Sequence, residues 1–206
     1  MSYIGRKANK QGGRHKMTEE QKQNAVEKMA MKPILDVCCG GKMFYFDKND
    51  SRVLFMDIRC IKTKLCDGRD FEVSPDVVGD FTNIPMLDNS FKMVVFDPPH
   101  LLHNTGKSKF ADMYSSLNEK ATPTGYQQIK YGALYSDWRD MLRKGFMECF
   151  RVLIPGGFLI FKWNETDIKV SEILKLTPEK PIFGHKSGKA SKTHWICFMK
   201  KVKENN

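Results

Sequence analysis

The chain has 206 residues, of which 41% are apolar and 28% charged, and these values are typical of one globular domain with a substantial core. No apolar run approaches a membrane span and no hydrophobic stretch follows the basic N-terminus, so we predict neither a membrane segment nor a secretory signal. The six cysteines include no CxxC pair, which favours reduced thiols and a cytoplasmic location over disulfides or a metal site.

The net charge of +10 is concentrated at the two ends of the chain. Residues 1–17 carry five Lys/Arg and no acid, and residues 162–206 carry ten Lys against five acids, whereas residues 33–161 balance at sixteen of each. This distribution predicts a polyanionic partner, with solubility as the alternative explanation. Residues 1–17 lack apolar periodicity and are predicted to be a disordered basic arm, and residues 18–206 a single domain. A capping box at residues 18–21 predicts a first helix.

Four short apolar segments come next, the third of them at residues 77–81, and we predict buried strands of a parallel sheet there. An aspartate stands at or just beyond the end of each one: Asp36, Asp57, Asp80 and Asp97. Open α/β sheets bind ligands at the carboxyl ends of their strands, so these acids predict a ligand edge. The small residues from Cys38 to Gly41 would let a ligand approach the backbone closely. Asp57, twenty-one residues after Asp36, is placed to bind ribose hydroxyls.

The fourth strand runs into Asp97-Pro98-Pro99-His100. The prolines fix the backbone and donate no hydrogen bond, so the Asp97 carboxylate and the Pro98 carbonyl form a rigid pair of acceptors beside an imidazole. Such a pair suits an NH₂ group on a flat ring. The alternative is that Asp-Pro-Pro is only a turn that ends a strand.

Residues 101–136 are polar and too long for an ordinary connection, so we predict a substrate-side loop insertion. Basic and aromatic residues alternate within it, which suits phosphate contact and base stacking, although a plain flexible loop would look similar. The residues that we select from it are Lys107, Lys109, Phe110 and Tyr131.

Beyond this segment the pattern predicts a helix from Trp138 to Phe150, then a strand over residues 158–161. A helix around residues 170–176 and two final strands at residues 181–183 and 193–199 complete the prediction. Three polar residues near these strand ends are predicted to border the substrate cleft: Lys162, Asn164 and His194.

Taken in order, these motifs resemble the class I S-adenosylmethionine-dependent methyltransferases over roughly residues 33–200. The resemblance rests on the Asp-small-residue turn, the acid after strand two, Asp80-Phe81 after strand three, Asp97-Pro98-Pro99-His100 after strand four, and Arg-Val-Leu-x-Pro-Gly-Gly at residues 151–157. It implies an α/β fold: a Rossmann-like, doubly wound, mostly parallel seven-stranded sheet with an antiparallel C-terminal strand. The family's turn has glycines at the positions of Cys38, Gly40 and Lys42, and only Gly40 matches.

The resemblance also implies roles for individual residues. The methionine part of S-adenosylmethionine would be held by Asp36 and the turn Cys38-Cys39-Gly40-Gly41, its ribose by Asp57, and its adenine by Asp80 and Phe81. Asp97, Pro98, Pro99 and His100 look like the (Asp/Asn/Ser)-Pro-Pro-aromatic motif of enzymes that methylate exocyclic or glutamine amide nitrogens.

These implications predict an N-methyltransferase that acts on an exocyclic amino group of a nucleic-acid base, with adenine N6 in DNA or RNA as the first candidate. Two alternatives remain open: methylation of a protein glutamine or a small molecule, and a non-catalytic module that binds the cofactor or a nucleic acid. We predict no metal and no membrane partner. A protein partner for target selection is also possible, because so short a chain offers no separate recognition domain.

Overall fold

The computed structural model describes residues 32–65, 68–102, 134, 137–186, 188 and 191–202. The predicted basic arm, the predicted first helix and nearly all of the 101–136 segment lie outside these residues. The roles of Lys107, Lys109, Phe110 and Tyr131 therefore stay predictions. Within the described ranges, no helix is long and apolar enough to cross a membrane.

Nine strands and two helices follow one another in the described part of the chain. Their bounds are β1 Ile34–Asp36, β2 Val53–Asp57, β3 Ile61–Lys64, β4 Asp70–Val73, β5 Val77–Val78, β6 Phe91–Phe96, α1 Trp138–Val152, β7 Leu153–Asn164, α2 Val170–Ile173, β8 Pro181–Phe183 and β9 Thr193–Met199. A 3₁₀ turn at Leu174–Leu176 extends α2.

Seven strands form one sheet in the order β5-β2-β1-β6-β7-β9-β8. All pairs from β5 to β7 are parallel, whereas β9 is antiparallel to both β7 and β8. The predicted doubly wound, mostly parallel sheet with an antiparallel C-terminal strand is therefore confirmed. The chain moves outward from β1 to β5 and then crosses back to β6, so the strand order reverses between β1 and β6. Open α/β sheets place their ligand sites at this position.

Apolar spacing explains why α1 forms and how it packs. Trp138, Leu142, Phe146 and Cys149 recur at helical intervals and are buried against the sheet. Gly145 lies in the same row, where an added Cβ would come within 2.7 Å of the Phe96 ring. The close approach of helix and strand therefore depends on a residue without a side chain.

The structure also contains a hairpin that was not predicted: β3 and β4 form a separate two-stranded sheet after β2. Its apolar residues alternate and make a small cluster of Leu65, Phe71 and Val73. An Asp67-Gly68 dipeptide between the two runs was the available signal, since Asp-Gly favours hairpin turns and Gly68 has φ +81°.

Two predicted strand bounds also differ from the structure. The third strand was predicted over residues 77–81, but β5 ends at Val78. β7 begins at Leu153 rather than at residue 158. The Gly156 N–H donates to the Lys200 carbonyl at 2.9 Å, and the Lys200 N–H donates to Gly157 at 2.9 Å. Main-chain pairing thus extends β7 through a segment whose side chains resemble a turn.

Candidate active site at the carboxyl ends of the strands

A cavity of about 500 Å³ opens at the carboxyl ends of β1, β2 and β6. Its volume is within the usual range for small-molecule sites. The four residues predicted to be catalytic all line it: Asp97, Pro98, Pro99 and His100. Of the eight predicted cofactor residues, seven line it: Cys38, Cys39, Gly40, Gly41, Asp57, Asp80 and Phe81.

The turn after β1 is held in shape by its backbone. Cys39 N–H donates to the Met56 carbonyl at 2.9 Å, and Lys42 N–H donates to Cys39 at 2.8 Å. Gly40 has φ +48° and Lys42 has φ +53°, so both lie in the left-handed region. Glycine adopts this conformation without strain, whereas a lysine does so at a cost. The turn therefore keeps the shape that the missing glycine would favour.

Asp36, the eighth predicted cofactor residue, is fully buried behind this turn. Its carboxylate accepts hydrogen bonds from the Cys38 N–H at 3.0 Å and from the Tyr45 hydroxyl at 2.9 Å. Burial raises the pKa of Asp36 to about 7, although both hydrogen bonds act in the opposite direction. In this geometry Asp36 positions the turn rather than facing the cavity.

Asp57 lines the cavity, but its carboxylate is already heavily used. Oδ1 accepts from the N–H and from Nε of Arg59, both at 2.9 Å. Oδ2 accepts from the Gly40 N–H at 2.9 Å and from Nη2 of Arg59 at 3.2 Å. These four bonds match the roughly four acceptor positions of a carboxylate. A ribose diol could therefore bind Asp57 only if the Arg59 guanidinium moved away.

Asp97 lies directly beyond β6 and forms an ion pair with Lys162 of β7, with 2.5 Å between Oδ2 and Nζ. The parallel register of the two strands sets Phe96 opposite Phe161, so the following residues lie side by side. Burial raises the pKa of Asp97, and the Lys162 ammonium opposes that rise. Lys162, predicted to bind substrate, lines the cavity and also contacts the predicted catalytic carboxylate.

The His100 ring also lines the cavity, and it lies edge-on to Trp163 with 6.3 Å between ring centroids. Burial and, to a smaller extent, the nearby Lys162 charge lower the pKa of His100 to about 4. A hydrogen bond to the Pro98 carbonyl acts in the opposite direction. His100 is therefore a neutral ring at physiological pH.

The wall at β5 carries the predicted adenine residues. Asp80 is exposed, and its Oδ1 accepts bonds from the N–H and the hydroxyl of Thr82, both at 2.8 Å. The Phe81 ring packs edge-to-face on Phe96, with 5.3 Å between centroids. This wall thus combines an exposed carboxylate with an apolar ring.

The structure does not bring Asn164 or His194 among the residues that line the cavity. The Asn164 amide donates to the Thr193 hydroxyl at 3.1 Å, and its oxygen accepts from the Thr166 N–H at 3.0 Å. His194 is buried, with Nε2 3.2 Å from Oε1 of Glu165. Both residues therefore stabilise the end of β7 and the turn that follows it.

The sequence analysis also missed several residues that line the cavity. Arg59 was detectable as a cation two residues after the predicted ribose acid, but Phe44 and Met141 carried no local signal. The five cysteines that the structure describes are all free, and its described residues contain no group of three His, Cys, Asp or Glu side chains able to hold a metal ion.

No protein-family model and no curated protein matches the sequence. Among solved structures, the chain is similar to N-methyltransferase NodS from Bradyrhizobium japonicum WM9, at 10% identity over 89% of this chain and 97% of that one, with a TM-score of 0.45. A TehB-like SAM-dependent methyltransferase from Corynebacterium glutamicum aligns at 16% identity over 88% and 96%, with a TM-score of 0.47. A SAM-dependent methyltransferase from Methanosarcina mazei aligns at 12% identity over 82% and 92%, with a TM-score of 0.45.

At these scores the likeness by itself assigns neither a substrate nor a cofactor to this chain. The strand order, the reversal between β1 and β6 and the antiparallel β9 are properties of the chain's own sheet. They give it the doubly wound, mostly parallel sheet with an antiparallel C-terminal strand that its motifs predict.

Proposed function

We propose that this protein is an S-adenosylmethionine-dependent methyltransferase that acts on an exocyclic amino group of a nucleic-acid base, with adenine N6 in DNA or RNA as the first candidate. The observation that carries the proposal is the pair of rigid acceptors, the Asp97 carboxylate and the Pro98 carbonyl, in the wall of the cavity. Lys162 pairs with one oxygen of this carboxylate, so the other oxygen is the one that a target N–H would satisfy.

The chemistry of the cavity supports the choice of cofactor. S-adenosylmethionine carries a sulfonium and an ammonium group, and five carboxylates line the cavity: Asp57, Asp80, Asp97, Asp137 and Asp140. At Gly41 an added Cβ would come within 3.1 Å of the Phe71 ring, so a residue without a side chain lets the turn pack against the β3–β4 hairpin. When bound, the cofactor supplies an electrophilic methyl group. The Asp57 carboxylate would hold the ribose once the Arg59 guanidinium has moved away from that carboxylate.

The target amine would be held by the acceptors beyond β6. Lys162 contacts Oδ2 of Asp97, so Oδ1 can accept one N–H of an NH₂ group. The Pro98 carbonyl interacts with His100 but has a second lone pair, which can accept the other N–H. These two bonds would direct the nitrogen lone pair into the cavity. Positioning of this kind can contribute about 7–11 kcal/mol to catalysis.

Asp97 is also the group that would take the proton that the amine loses. Burial raises its pKa, which makes the carboxylate a better base than an exposed aspartate. His100 is neutral at physiological pH and offers a flat ring beside the acceptor pair. A flipped-out base could stack on it.

A nucleic acid is the acceptor that the charge distribution favours. The two ends of the chain are basic, whereas residues 33–161 are neutral overall. Contacts with phosphates would account for this pattern and would make binding weaken with salt. A protein glutamine or a small amine would fit the same acceptor pair but would give no such salt dependence.

The experiment compares wild-type protein with Asp97→Ala and Asp97→Asn, using labelled cofactor and a panel of DNA, RNA and protein acceptors. Both variants should bind the cofactor, because Asp57 and Asp80 do that work. Turnover should fall in both, with Ala the more impaired, and the loss should appear in kcat more than in KM.

Asp70→Asn is a matched control, because Asp70 is an exposed carboxylate whose partner Lys64 is also exposed. It should keep wild-type turnover. A folded Asp97→Ala protein with wild-type turnover would rule out the catalytic role. Transfer of label to protein alone would replace the nucleic-acid acceptor with the glutamine alternative.

A further inference from the structure

Two aromatic side chains that the proposed reaction does not use, Phe44 and Trp195, lie near the Lys162 ammonium that contacts Asp97, and a third follows Phe44 in the chain. Phe44 lines the cavity, and its ring meets the Trp195 ring edge-on at 5.2 Å between centroids. Phe46 follows two residues later and is fully exposed, while Trp195 is 43% exposed. We call Phe44, Phe46 and Trp195 the aromatic rim.

The segment after the glycine turn is anchored so that the rings of Phe44 and Phe46 cannot join the core. Tyr45 turns inward, where its hydroxyl bonds to Asp36 and its ring packs edge-on against Phe55 at 4.9 Å. Lys42 also lies over the Phe55 ring, with Nζ 4.1 Å from its centroid. Because Tyr45 is fixed inward on a segment without helix or strand, its neighbours Phe44 and Phe46 remain outside.

Lys162 links the aromatic rim to the acceptor pair. Its Nζ contacts Asp97 and lies 5.3 Å from the Phe44 centroid and 5.7 Å from the Trp195 centroid. The antiparallel register of β7 and β9 sets Lys162 opposite Trp195, so this arrangement is built into the sheet. Any group held by Asp97 therefore has Phe44 and Trp195 of the aromatic rim as neighbours.

We propose that the aromatic rim is a stacking platform for unpaired bases next to the target base, so that the acceptor is a single-stranded segment of DNA or RNA. This inference rests on the proposed function and names its substrate class. Exposed rings beside basic residues are the usual means of holding single strands, because every base has a flat face that can stack.

Charge favours a nucleic acid over an apolar protein surface as the occupant. Trp195 belongs to the C-terminal segment, where ten Lys oppose five acids, and Lys162 of the same segment touches two of the rings. A fully paired duplex would expose only base edges, so the platform should act mainly on single strands.

The test measures binding of labelled single-stranded oligonucleotides, and of the same sequence as a duplex, to wild-type protein and to Phe46→Ala and Trp195→Ala. Each variant should bind single strands about 5- to 150-fold more weakly, the range for losing one stacked base. The slope of affinity against salt should not change, because no phosphate contact is lost. Cofactor binding should also be unchanged.

Met147→Ala is the matched control, since Met147 is a large apolar residue of α1 that is 64% exposed outside the aromatic rim. If wild-type protein methylates oligonucleotides but Phe46→Ala binds single strands as well as Met147→Ala does, the platform is wrong while the proposed function stands. If wild-type protein neither binds nor methylates any nucleic acid, both proposals fail. A third outcome is that wild-type protein self-associates and that Phe46→Ala abolishes this self-association without changing the affinity for oligonucleotides. The aromatic rim would then be a contact between copies of the chain, and the stacking proposal would be wrong.

Discussion

Replacing Asp36 by asparagine should make the protein more stable above neutral pH. The carboxylate is fully buried, and burial raises its pKa from 3.8 to about 7. Asparagine has the same shape: its oxygen can accept from the Cys38 N–H, and its NH₂ group can donate to the Tyr45 oxygen, which accepts as well as donates. The substitution therefore removes the charge while both contacts can persist.

The sign and size of the effect follow from this pKa. Because the folded-state pKa is raised, the contribution of Asp36 to stability is fully present below pH 3.8 and is lost as the pH rises through about 7. A rise of about three pKa units corresponds to about 4 kcal/mol. His100 acts in the opposite direction, because its pKa is lowered to about 4 and its contribution is gained as the pH rises. The wild-type profile alone would therefore hide the effect of Asp36.

The assay is chemical denaturation of wild-type protein and Asp36→Asn at several pH values between 4 and 9. The two stabilities should be similar near pH 4, and the variant should become the more stable by up to about 4 kcal/mol at pH 8. Tyr45→Phe, which removes one bond to the carboxylate, is a control that keeps the charge. A difference between Asp36→Asn and wild-type protein that does not depend on pH would refute the reasoning.

Further substitutions test the turn after β1 and the cavity. Asp57→Ala should weaken cofactor binding by about 1.5–3 kcal/mol. Arg59→Ala should tighten cofactor binding, because the guanidinium that occupies the Asp57 carboxylate is gone while the backbone N–H groups still orient that carboxylate. Calorimetry should therefore give changes in binding free energy of opposite sign for the two variants. Lys42→Gly should be more stable than Lys42→Ala by about 1 kcal/mol in a denaturation assay, because both variants lose the contact with the Phe55 ring but only glycine relieves the left-handed backbone at φ +53°. Equal midpoints would mean that the conformation carries no strain. Lys162→Met should move the acid limb of the kcat/KM profile to higher pH, because the ammonium lowers the pKa of Asp97; an unmoved limb would show that Asp97 does not set it.

Most of the sheet could be predicted because strands leave a local pattern. Short apolar runs that end in an acid correctly gave β1, β2 and β6, and the spacing from Trp138 to Phe150 gave α1. The β3–β4 hairpin was missed because its strands are four residues long and largely charged. The length of β7 was underestimated because its first residues pair through backbone hydrogen bonds, and the pattern of side chains carries no information about such bonds.

The residues at the strand ends could be predicted individually, but the residues that they contact in the folded structure could not. The sequence by itself determined that Asp57, Asp80 and Asp97 stand at one edge of a parallel sheet, because strand direction brings carboxyl ends together. Only the tertiary structure decided that Asp36 is buried behind the turn and that Lys162, 65 residues from Asp97, is its partner. Burial and register depend on contacts between segments far apart in the chain, so local sequence carries no record of them.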